Sequence, residues 1–351
     1  MLLVTGGAGF IGSNFIHDWF LDTNESIITV DKLTYAGNLG NLESFQDKDN
    51  FTFVKSDISN KKVVQEILEK EKPRSVINFA AESHVDKSIK SPRLFYETNV
   101  LATLDLVESC KDYWDNLPEK EKKEFKFLHI STDEVYGDLN KDEASFSEKS
   151  RFKPNSPYAA SKASSDHIVR SYYKTYQFPV IISNCSNNFG PFQYPEKLIP
   201  LTILNLISGE KVPIYGDGEQ IRDWLYVSDH CQALRLILKS GKVGEVYNVG
   251  ANNEKKNLDL VRTICKELER VMPCKSPNGY QGQIELIKDR PGHDRRYSID
   301  SNKIQKELGW KPSTRFDLGL KKTINWYLEN KNWLKNITDS DYKQWILKQY
   351  S

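Results

Sequence analysis

The chain is poor in cysteine and has no excess of charge of either sign. Its five cysteines are dispersed, without a CxxC pair or the spacing of metal ligands, so nothing in the sequence indicates a disulfide framework or a metal site. The formal net charge is +1, which gives no electrostatic case for binding nucleic acid or an anionic membrane. We therefore expect a cytoplasmic protein with reduced thiols, whose partner is a small molecule.

Long apolar runs are also missing. No run approaches the roughly 20 residues that span a bilayer. Met1 is followed at once by the apolar residues 2–4 and then by glycines, which leaves no room for a signal peptide. We expect neither a membrane span nor secretion, and we find no internal repeat.

The first half of the chain alternates short β-rich runs with amphipathic stretches. The predicted strands are Leu2–Thr5, Ser26–Asp31, Phe51–Asp57, Ser75–Ala81, Phe125–Thr132 and Pro179–Cys185. The predicted helices are Ile11–Asp22, Lys61–Lys70, Leu94–Tyr113 and Ser161–Tyr176. This alternation predicts an α/β fold, a Rossmann-type doubly wound parallel sheet with helices on both faces.

Beyond about residue 190 the segments become shorter and prolines interrupt them. Further helical patterns lie at Asp229–Lys239, Leu258–Val271, Ser301–Leu308 and Leu318–Asn330. We predict a Rossmann domain over residues 1–190 and a smaller α/β lobe over residues 191–351, with some chain crossing between them. Because open α/β sheets bind ligands at the carboxyl ends of their strands, we expect the site in the cleft between the two.

A glycine-rich turn follows the first predicted strand and opens a helix, with Gly6, Gly9 and Gly12 three residues apart. In such a turn one glycine makes the bend, one lets the backbone approach a pyrophosphate, and one lets helix pack on strand. Asp31 ends the second predicted strand, where a carboxylate accepts ribose hydroxyls and repels a 2′-phosphate. The pattern favours NAD over NADP, although a tight turn without a ligand would contain the same glycines.

Tyr158 and Lys162 are four residues apart, a spacing that places both on one face of a helix. A neighbouring ammonium favours the phenolate, so we expect a lowered pKa for Tyr158 and a base that acts near neutral pH. Thr132 follows a predicted strand and would supply a hydroxyl beside Tyr158. A solvated helix face would show the same spacing.

Two adjacent carboxylates, Asp133 and Glu134, come directly after Thr132. Burial of one acid beside another raises a pKa and yields one protonated acid and one ionised base. That is the equipment for removing a proton and expelling water. The alternative is an acidic turn on the surface.

With these residues in view, the chain resembles the extended short-chain dehydrogenase/reductase superfamily and, within it, the dTDP-glucose 4,6-dehydratase family, over nearly its whole length. Two departures are mild: Lys87 stands where the family usually has arginine, and Phe189 where tyrosine is common. The segments that carry the resemblance are 31–39, 80–86, 131–137, 156–162, 185–191, 195–200, 221–224 and 290–294.

The resemblance implies the NAD-dependent conversion of dTDP-glucose to dTDP-4-keto-6-deoxyglucose, a step of deoxysugar (for example rhamnose) biosynthesis. Tyr158, assisted by Lys162 and Thr132, would take the proton of the sugar 4-hydroxyl while hydride leaves C4 for the nicotinamide. Glu134 would remove the C5 proton, Asp133 would protonate the departing C6 hydroxyl, and hydride would return to C6.

The resemblance also implies two sets of binding residues. NAD would be bound by residues from the glycine turn, the strand ends and the catalytic helix: Gly6, Gly9, Phe10, Ile11, Gly12, Asp31, Lys32, Leu33, Thr34, Gly37, Asp57, Ile58, Phe79, Ala80, Ala81, Thr98, Tyr158, Lys162 and Asn188. The nucleotide sugar would be bound mainly by the second lobe: Ser83, Thr132, Asn187, Glu196, Lys197, Leu198, Pro213, Tyr215, Arg222, Asn257, Arg290 and His293.

Members of the family are usually homodimers that pair two helices from each subunit, here Leu94–Tyr113 and Ser161–Tyr176. An apolar stripe with Leu101, Leu104 and Val107 fits such an interface, and it fits a core equally well.

Three other functions stay open. A nucleotide-sugar 4-epimerase of the same superfamily also needs Tyr158, Lys162, Thr132 and NAD, but has no use for an acid-base pair at residues 133 and 134. A 4,6-dehydratase acting on another nucleotide hexose differs only in the base, for which the sequence offers no signal beyond the resemblance. A non-catalytic dinucleotide sensor would have lost Tyr158 or Lys162.

Overall fold

The structure is a computed structural model that describes residues 1–338, 342 and 346. The remaining residues of the predicted second lobe, 339–341, 343–345 and 347–351, lie outside the described part. The strands are β1 (Leu2–Thr5), β2 (Ile27–Asp31), β3 (Phe51–Lys55), β4 (Ser75–Asn78), β5 (Lys126–Thr132), β6 (Val180–Cys185), β7 (Asn187–Phe189), β8 (Val212–Tyr215), β9 (Ile221–Tyr226), β10 (Val246–Val249), β11 (Glu254–Lys256) and β12 (Ile284–Ile287).

Helices alternate with these strands through most of the chain. They are α1 (Phe10–Asp22), α2 (Lys61–Glu71), α3 (Val85–Lys90), α4 (Pro92–Tyr96), α5 (Ala102–Asp115), α6 (Glu119–Glu124), α7 (Pro157–Tyr176), α8 (Leu198–Ser208), α9 (Val227–Ser240), α10 (Asn257–Val271), α11 (Asn302–Leu308), α12 (Phe316–Glu329) and α13 (Lys331–Ile337). A π-helical turn, Glu97–Leu101, joins α4 to α5, and a 3₁₀ helix, Asp133–Tyr136, follows β5.

Within the described residues, seven parallel strands form the central sheet in the order β3-β2-β1-β4-β5-β6-β10. The predicted doubly wound parallel sheet is confirmed, and β1 to β6 correspond to the six predicted strands. The predicted runs Phe51–Asp57 and Ser75–Ala81 end earlier as strands, at Lys55 and Asn78. Their last residues instead form loops at the carboxyl edge.

Helices cover both faces of this sheet, which is why β1, β2 and β4 are buried along their whole length. One apolar core forms under α1 and α9 and includes Phe15 and Ile237. The other forms under α2, α5 and α7 and includes Leu106 and Val169. The two cores fix the sheet and leave its carboxyl edge free to carry loops.

A smaller lobe lies beside this edge. It contains the sheet β11-β9-β7 and the parallel pair β12-β8, packed with α8, α10 and α12 around residues such as Trp224 and Leu260. The chain does not divide cleanly at residue 190: β7 precedes it and belongs to the smaller sheet, while β10 follows it and pairs with β6. The two-lobe division therefore stays a proposal based on packing.

Among the described residues, no helix combines the length and apolar character that crossing a bilayer requires.

Candidate active site

A cavity of about 400 Å³ lies between the carboxyl edge of the central sheet and the smaller lobe. It extends from the glycine turn after β1 to Arg290 and His293. Every predicted site residue lines it except Leu33 and Asp133. The predicted residues that line it are Gly6, Gly9, Phe10, Ile11, Gly12, Asp31, Lys32, Thr34, Gly37, Asp57, Ile58, Phe79, Ala80, Ala81, Ser83, Thr98, Thr132, Glu134, Tyr158, Lys162, Asn187, Asn188, Glu196, Lys197, Leu198, Pro213, Tyr215, Arg222, Asn257, Arg290 and His293.

The two exceptions have different causes. Leu33 adopts a left-handed backbone with φ of 55°, and its side chain packs against the apolar core instead of the cavity. Asp133 is only 2% exposed and lies behind Thr132, whose hydroxyl is 3.3 Å from its Oδ1. Its other oxygen, Oδ2, is buried without a hydrogen-bond partner.

The glycine turn leaves no room for side chains. Gly6 has a φ of +69°, and a Cβ there would meet the backbone nitrogen of Ala80 at 2.6 Å. A Cβ on Gly12 would lie 2.3 Å from the Gly6 carbonyl oxygen. Helix α1, described over its whole length, begins without a side-chain cap. Its first N–H groups therefore suit an anion such as a pyrophosphate.

Asp31 is held at the end of β2 by two backbone contacts. The Ala8 N–H donates to its Oδ2 at 3.0 Å, and the Leu33 N–H donates to its Oδ1 at 2.8 Å. Burial raises the pKa of this carboxyl. Nearby, Lys32 Nζ lies 3.3 Å from Asp57 Oδ2. This polar end of the cavity fits the hydroxyls of a ribose.

Tyr158 and Lys162 lie on α7 as predicted, and both are buried. The predicted lowering of the Tyr158 pKa is wrong. Burial, together with the negative charge of Glu134, holds that pKa well above its ordinary value, although a hydrogen bond with Thr132 lowers it. Lys162 Nζ donates to the Ile130 carbonyl at 2.8 Å, and burial lowers its pKa. The spacing gave the right face of the helix, but the electrostatics depend on tertiary neighbours.

Asp133 and Glu134 occupy unlike environments although they are adjacent. Burial, reinforced by the charge of Glu134, raises the pKa of Asp133 well above its ordinary value. Burial also raises the pKa of Glu134, but Arg290, Lys197 and Arg222 all act to lower it. The surroundings of Asp133 thus favour its protonated form, whereas the cations near Glu134 favour the ionised form of that carboxyl against the effect of burial.

Three cations of the smaller lobe form a positive recess opposite Glu134. Lys197 Nζ donates to the Ser83 carbonyl at 2.6 Å. The Arg222 guanidinium donates to the Asp294 carbonyl at 2.9 Å and stacks 4.1 Å from the centre of the Tyr297 ring. Arg290 is 2.8 Å from Asp86 Oδ1, and its Nε is buried without a partner. The recess suits a diphosphate, which accepts from planar guanidinium groups.

His293 contributes a hydrogen-bonding group to this recess rather than a charge. Its Nδ1 lies 2.6 Å from Asp289 Oδ1. Burial, helped by Arg290, nevertheless lowers its pKa to about 4, so the ring is neutral at physiological pH.

Comparison with known proteins agrees with this geometry. Residues 3–323 match the family model described as GDP-mannose 4,6 dehydratase. The chain is 50% identical over 357 residues to the dTDP-glucose 4,6-dehydratase of Shigella flexneri, with 99% of this chain and 98% of that protein covered. It belongs to the dTDP-glucose 4,6-dehydratase family.

Two solved structures of that family share the fold. The Bacillus anthracis enzyme in complex with NAD has a TM-score of 0.84 and 46% identity, covering 96% of this chain and 99% of that one. The Streptomyces venezuelae enzyme with NAD and TYD bound has a TM-score of 0.87 and 40% identity, with the same coverage.

Sequence reasoning missed some residues that shape the site. Asp86 accepts from Arg290 and, at 3.0 Å, from the Tyr215 hydroxyl, so it positions two predicted substrate-binding residues. The Tyr297 hydroxyl is 3.5 Å from Glu134 Oε2. Asp86 lies in one of the segments that carry the family resemblance and was within reach of prediction, whereas no local pattern marks Tyr297.

Proposed function

We propose that this protein binds NAD and converts dTDP-glucose to dTDP-4-keto-6-deoxyglucose and water. The observation that carries this proposal is the meeting of two sets of groups at one cavity. Tyr158, Lys162 and Thr132 line the cavity and suit oxidation at a sugar hydroxyl, while Glu134, which also lines it, and Asp133, buried directly behind Thr132, form an acid-base pair in unlike surroundings. An epimerase uses the first set and has no need of the second.

The residues of the first half of the cavity fit NAD. The closely packed glycine turn and the uncapped start of α1 suit its pyrophosphate. Asp31 suits the adenosine ribose and disfavours a 2′-phosphate. When bound, NAD supplies a positively charged hydride acceptor for C4 and, once reduced, the hydride that returns to C6.

Oxidation at C4 depends on Tyr158. The Thr132 hydroxyl is hydrogen-bonded to Tyr158. A sugar 4-hydroxyl bound beside these two side chains could give its proton to Tyr158. Because the pKa of Tyr158 is raised, its phenolate is scarce but strongly basic. An ammonium on the same helix face, that of Lys162 four residues further on, favours a phenolate.

Elimination uses the carboxyl pair. A ketone at C4 acidifies the C5–H bond, and Glu134 accepts that proton. Asp133 gives its proton to the C6 hydroxyl, which leaves as water. Glu134 then returns a proton to C5, and the proton that Tyr158 took from the 4-hydroxyl passes through solvent to Asp133, so that all three groups end in their starting states. The buried, unpartnered Oδ2 of Asp133 is the atom best suited to carry the proton.

The smaller lobe supplies the grip on the nucleotide. Lys197, Arg222 and Arg290 suit the diphosphate. The Streptomyces venezuelae dTDP-glucose 4,6-dehydratase has TYD bound, which supports a thymidine nucleotide as the ligand here.

We also propose a homodimer, supported by large apolar side chains exposed on α4 and the π-helical turn, such as Leu94 and Leu101. All five cysteines are free thiols, which supports a reducing compartment such as the cytoplasm.

The decisive experiment is an incubation with dTDP-glucose and catalytic NAD in heavy water. Dehydration requires a 4-keto-6-deoxy product with solvent deuterium at C5, read by mass spectrometry and NMR. Recovery of dTDP-galactose alone would reject the dehydratase in favour of an epimerase. Parallel incubations with UDP-, CDP- and GDP-hexoses test the base, and faster turnover of any of these would overturn the thymidine assignment.

A further inference from the structure

A chain of buried polar side chains runs behind the catalytic residues, from β1 to α7. The Thr5 hydroxyl donates to Asn78 Oδ1 at 2.6 Å, and Asn78 Nδ2 donates to His129 Nδ1 at 3.2 Å. The proton of the His129 ring must then lie on Nε2, which is directed at Ser165 Oγ (3.3 Å) and Asp166 Oδ1 (3.5 Å). None of these groups has a role in the mechanism above.

This series of buried polar side chains ends at the carboxylate of Asp166, whose charge the neighbouring imidazole and phenol do not neutralise. Asp166 is 2% exposed, and its Oδ2 accepts from the Ser131 hydroxyl at 2.8 Å. Burial, together with the positive charge of Lys162, lowers the pKa of His129, so the imidazole is neutral at physiological pH. The Tyr136 phenol also faces Asp166 and is neutral, because burial raises its pKa. A buried carboxylate in such surroundings needs a positive charge nearby.

Lys162 is that charge. It precedes Asp166 by four residues on α7 and therefore shares its helix face. Its Nζ donates to the carbonyl of Ile130, and Asp166 accepts from the next residue of β5, Ser131. Consecutive residues of one strand thus hold the ammonium and the carboxylate. Cys185, which also faces Lys162, is a neutral thiol because burial raises its pKa to about 12.

We propose that Asp166 is a positioning residue for the reaction: its buried carboxylate, held by Ser131 and facing His129, is the counter-charge that keeps the Lys162 ammonium charged and in place near Tyr158. The consequence for catalysis rests on the proposed function, whereas the charge pairing does not. Burial lowers the pKa of Lys162, and Asp166 is the carboxylate on the same helix face that raises it. Removing Asp166 would remove this opposing effect. Lys162 would lose its proton at a lower pH, and Tyr158 would lose the cation that favours its phenolate.

The test compares Asp166→Asn and Asp166→Glu with the wild-type protein, each saturated with added NAD. Lysine labelled with ¹³C at Cε reports the titration of Lys162 directly, and Lys162→Met assigns its resonance. We expect the Lys162 midpoint to fall by about one to three pH units in Asp166→Asn and by less in Asp166→Glu. The alkaline limb of kcat/KM should move to lower pH by a similar amount, since the active form carries the charged lysine.

Asp229→Asn is the matched control. Asp229 is also buried, at 1% exposure, but it accepts from Ser313 and Thr314 at a place that does not line the cavity. It should lower the melting temperature without moving the Lys162 midpoint.

The outcomes separate the two proposals. An unchanged Lys162 midpoint in folded Asp166→Asn overturns the counter-charge, even if activity falls. If Asp166→Asn does not fold, the smaller neutral variant Asp166→Ser takes its place, and an unchanged midpoint there overturns the counter-charge. If the wild-type protein has no dehydratase activity but the Lys162 midpoint still moves in Asp166→Asn, the counter-charge is supported and the proposed function is rejected.

Discussion

At the scale of single residues, Glu134 shows two opposing effects on one carboxylate. Burial raises its pKa, while Arg290, Lys197 and Arg222 lower it, and the net direction is upward. A base works in its ionised form, so the activity it supports is present above that pKa and is lost as pH falls through it. We expect the acidic limb of kcat/KM to lie above 4.5, the ordinary value for this side chain.

Glu134→Gln tests this assignment. It should lower the rate of dehydration by about 10²- to 10⁴-fold, the usual contribution of a general base. Oxidation at C4 should continue, visible as the absorbance of reduced cofactor that accumulates when elimination stops. Glu143→Gln, on the exposed loop after β5, is the control and should retain both activities. If Glu134→Gln dehydrates at the wild-type rate, another group is the base.

How far sequence reasoning succeeded at this scale depends on the range of the interaction. Tyr158 and Lys162 were found because helix geometry alone sets a four-residue spacing. The direction of the Tyr158 pKa was missed because it depends on burial and on Glu134, which lies on another element. Leu33 was assigned to the cavity from its place in a family segment, but a left-handed backbone turns its side chain into the core.

At the scale of elements, the turn between β1 and α1 separates two roles of glycine. A Cβ on Gly12 would collide with the backbone at 2.3 Å, so that glycine is required for packing. A Cβ on Gly9 would meet only the Gly6 carbonyl oxygen, at 3.3 Å, and Gly9 has an ordinary φ of −78°. The fold therefore has almost enough space for a methyl group at Gly9. A pyrophosphate bound at the start of α1 would collide with that methyl group.

We accordingly expect Gly9→Ala to retain the melting temperature of the nucleotide-free protein within a few degrees and to weaken NAD binding at least tenfold, measured by calorimetry after the nucleotide has been removed. Gly12→Ala should instead unfold at a clearly lower temperature. Equal NAD affinity in Gly9→Ala and the wild type would show that the pyrophosphate does not approach this turn.

The elements that prediction missed were those fixed by distant partners. β1 to β6 follow from runs of apolar and β-branched residues, because strands buried on both faces need them. The four residues of β10, Val246–Val249, form no such run by themselves and become a sheet strand only by pairing with β6. Likewise, the loop that follows β4 reads as a strand extension because its apolar residues Phe79, Ala80 and Ala81 line the cavity, and Ser56 and Asp57 after β3 line it as well.

At the scale of the whole molecule, the two lobes are joined across the cavity by a buried charged contact. The Tyr35 hydroxyl, in the loop after β2, donates to Glu196 Oε1 at 2.9 Å, and Lys87 Nζ lies 3.0 Å from Glu196 Oε2. The unusual lysine at position 87 is thus part of the contact that ties α3 and the loop after β2 to the smaller lobe. Such a connection suits a reaction that takes a hydride from one carbon and returns it to another within one turnover.

The outer surface of the catalytic domain bears on the assembly of the molecule. Of the predicted apolar stripe, Val107 is fully buried and belongs to the core, whereas Leu101 is 56% exposed. Leu94 and Tyr176 are exposed on neighbouring helical segments, at 43% and 50%. Side chains of this size on adjoining helices are typical of a surface that another chain covers.

We therefore expect the wild-type protein to have twice the chain mass of 40.5 kDa in light scattering at micromolar concentration. Leu101→Glu places a charge within that surface and should yield a monomer. Leu21→Glu alters an equally apolar side chain, 79% exposed on α1 at the other side of the sheet, and should leave the dimer intact. Because α7 carries Tyr158 and Lys162, the monomer should have both a lower melting temperature and a lower activity than the wild-type dimer. A Leu101→Glu protein that remains a dimer would place the interface elsewhere.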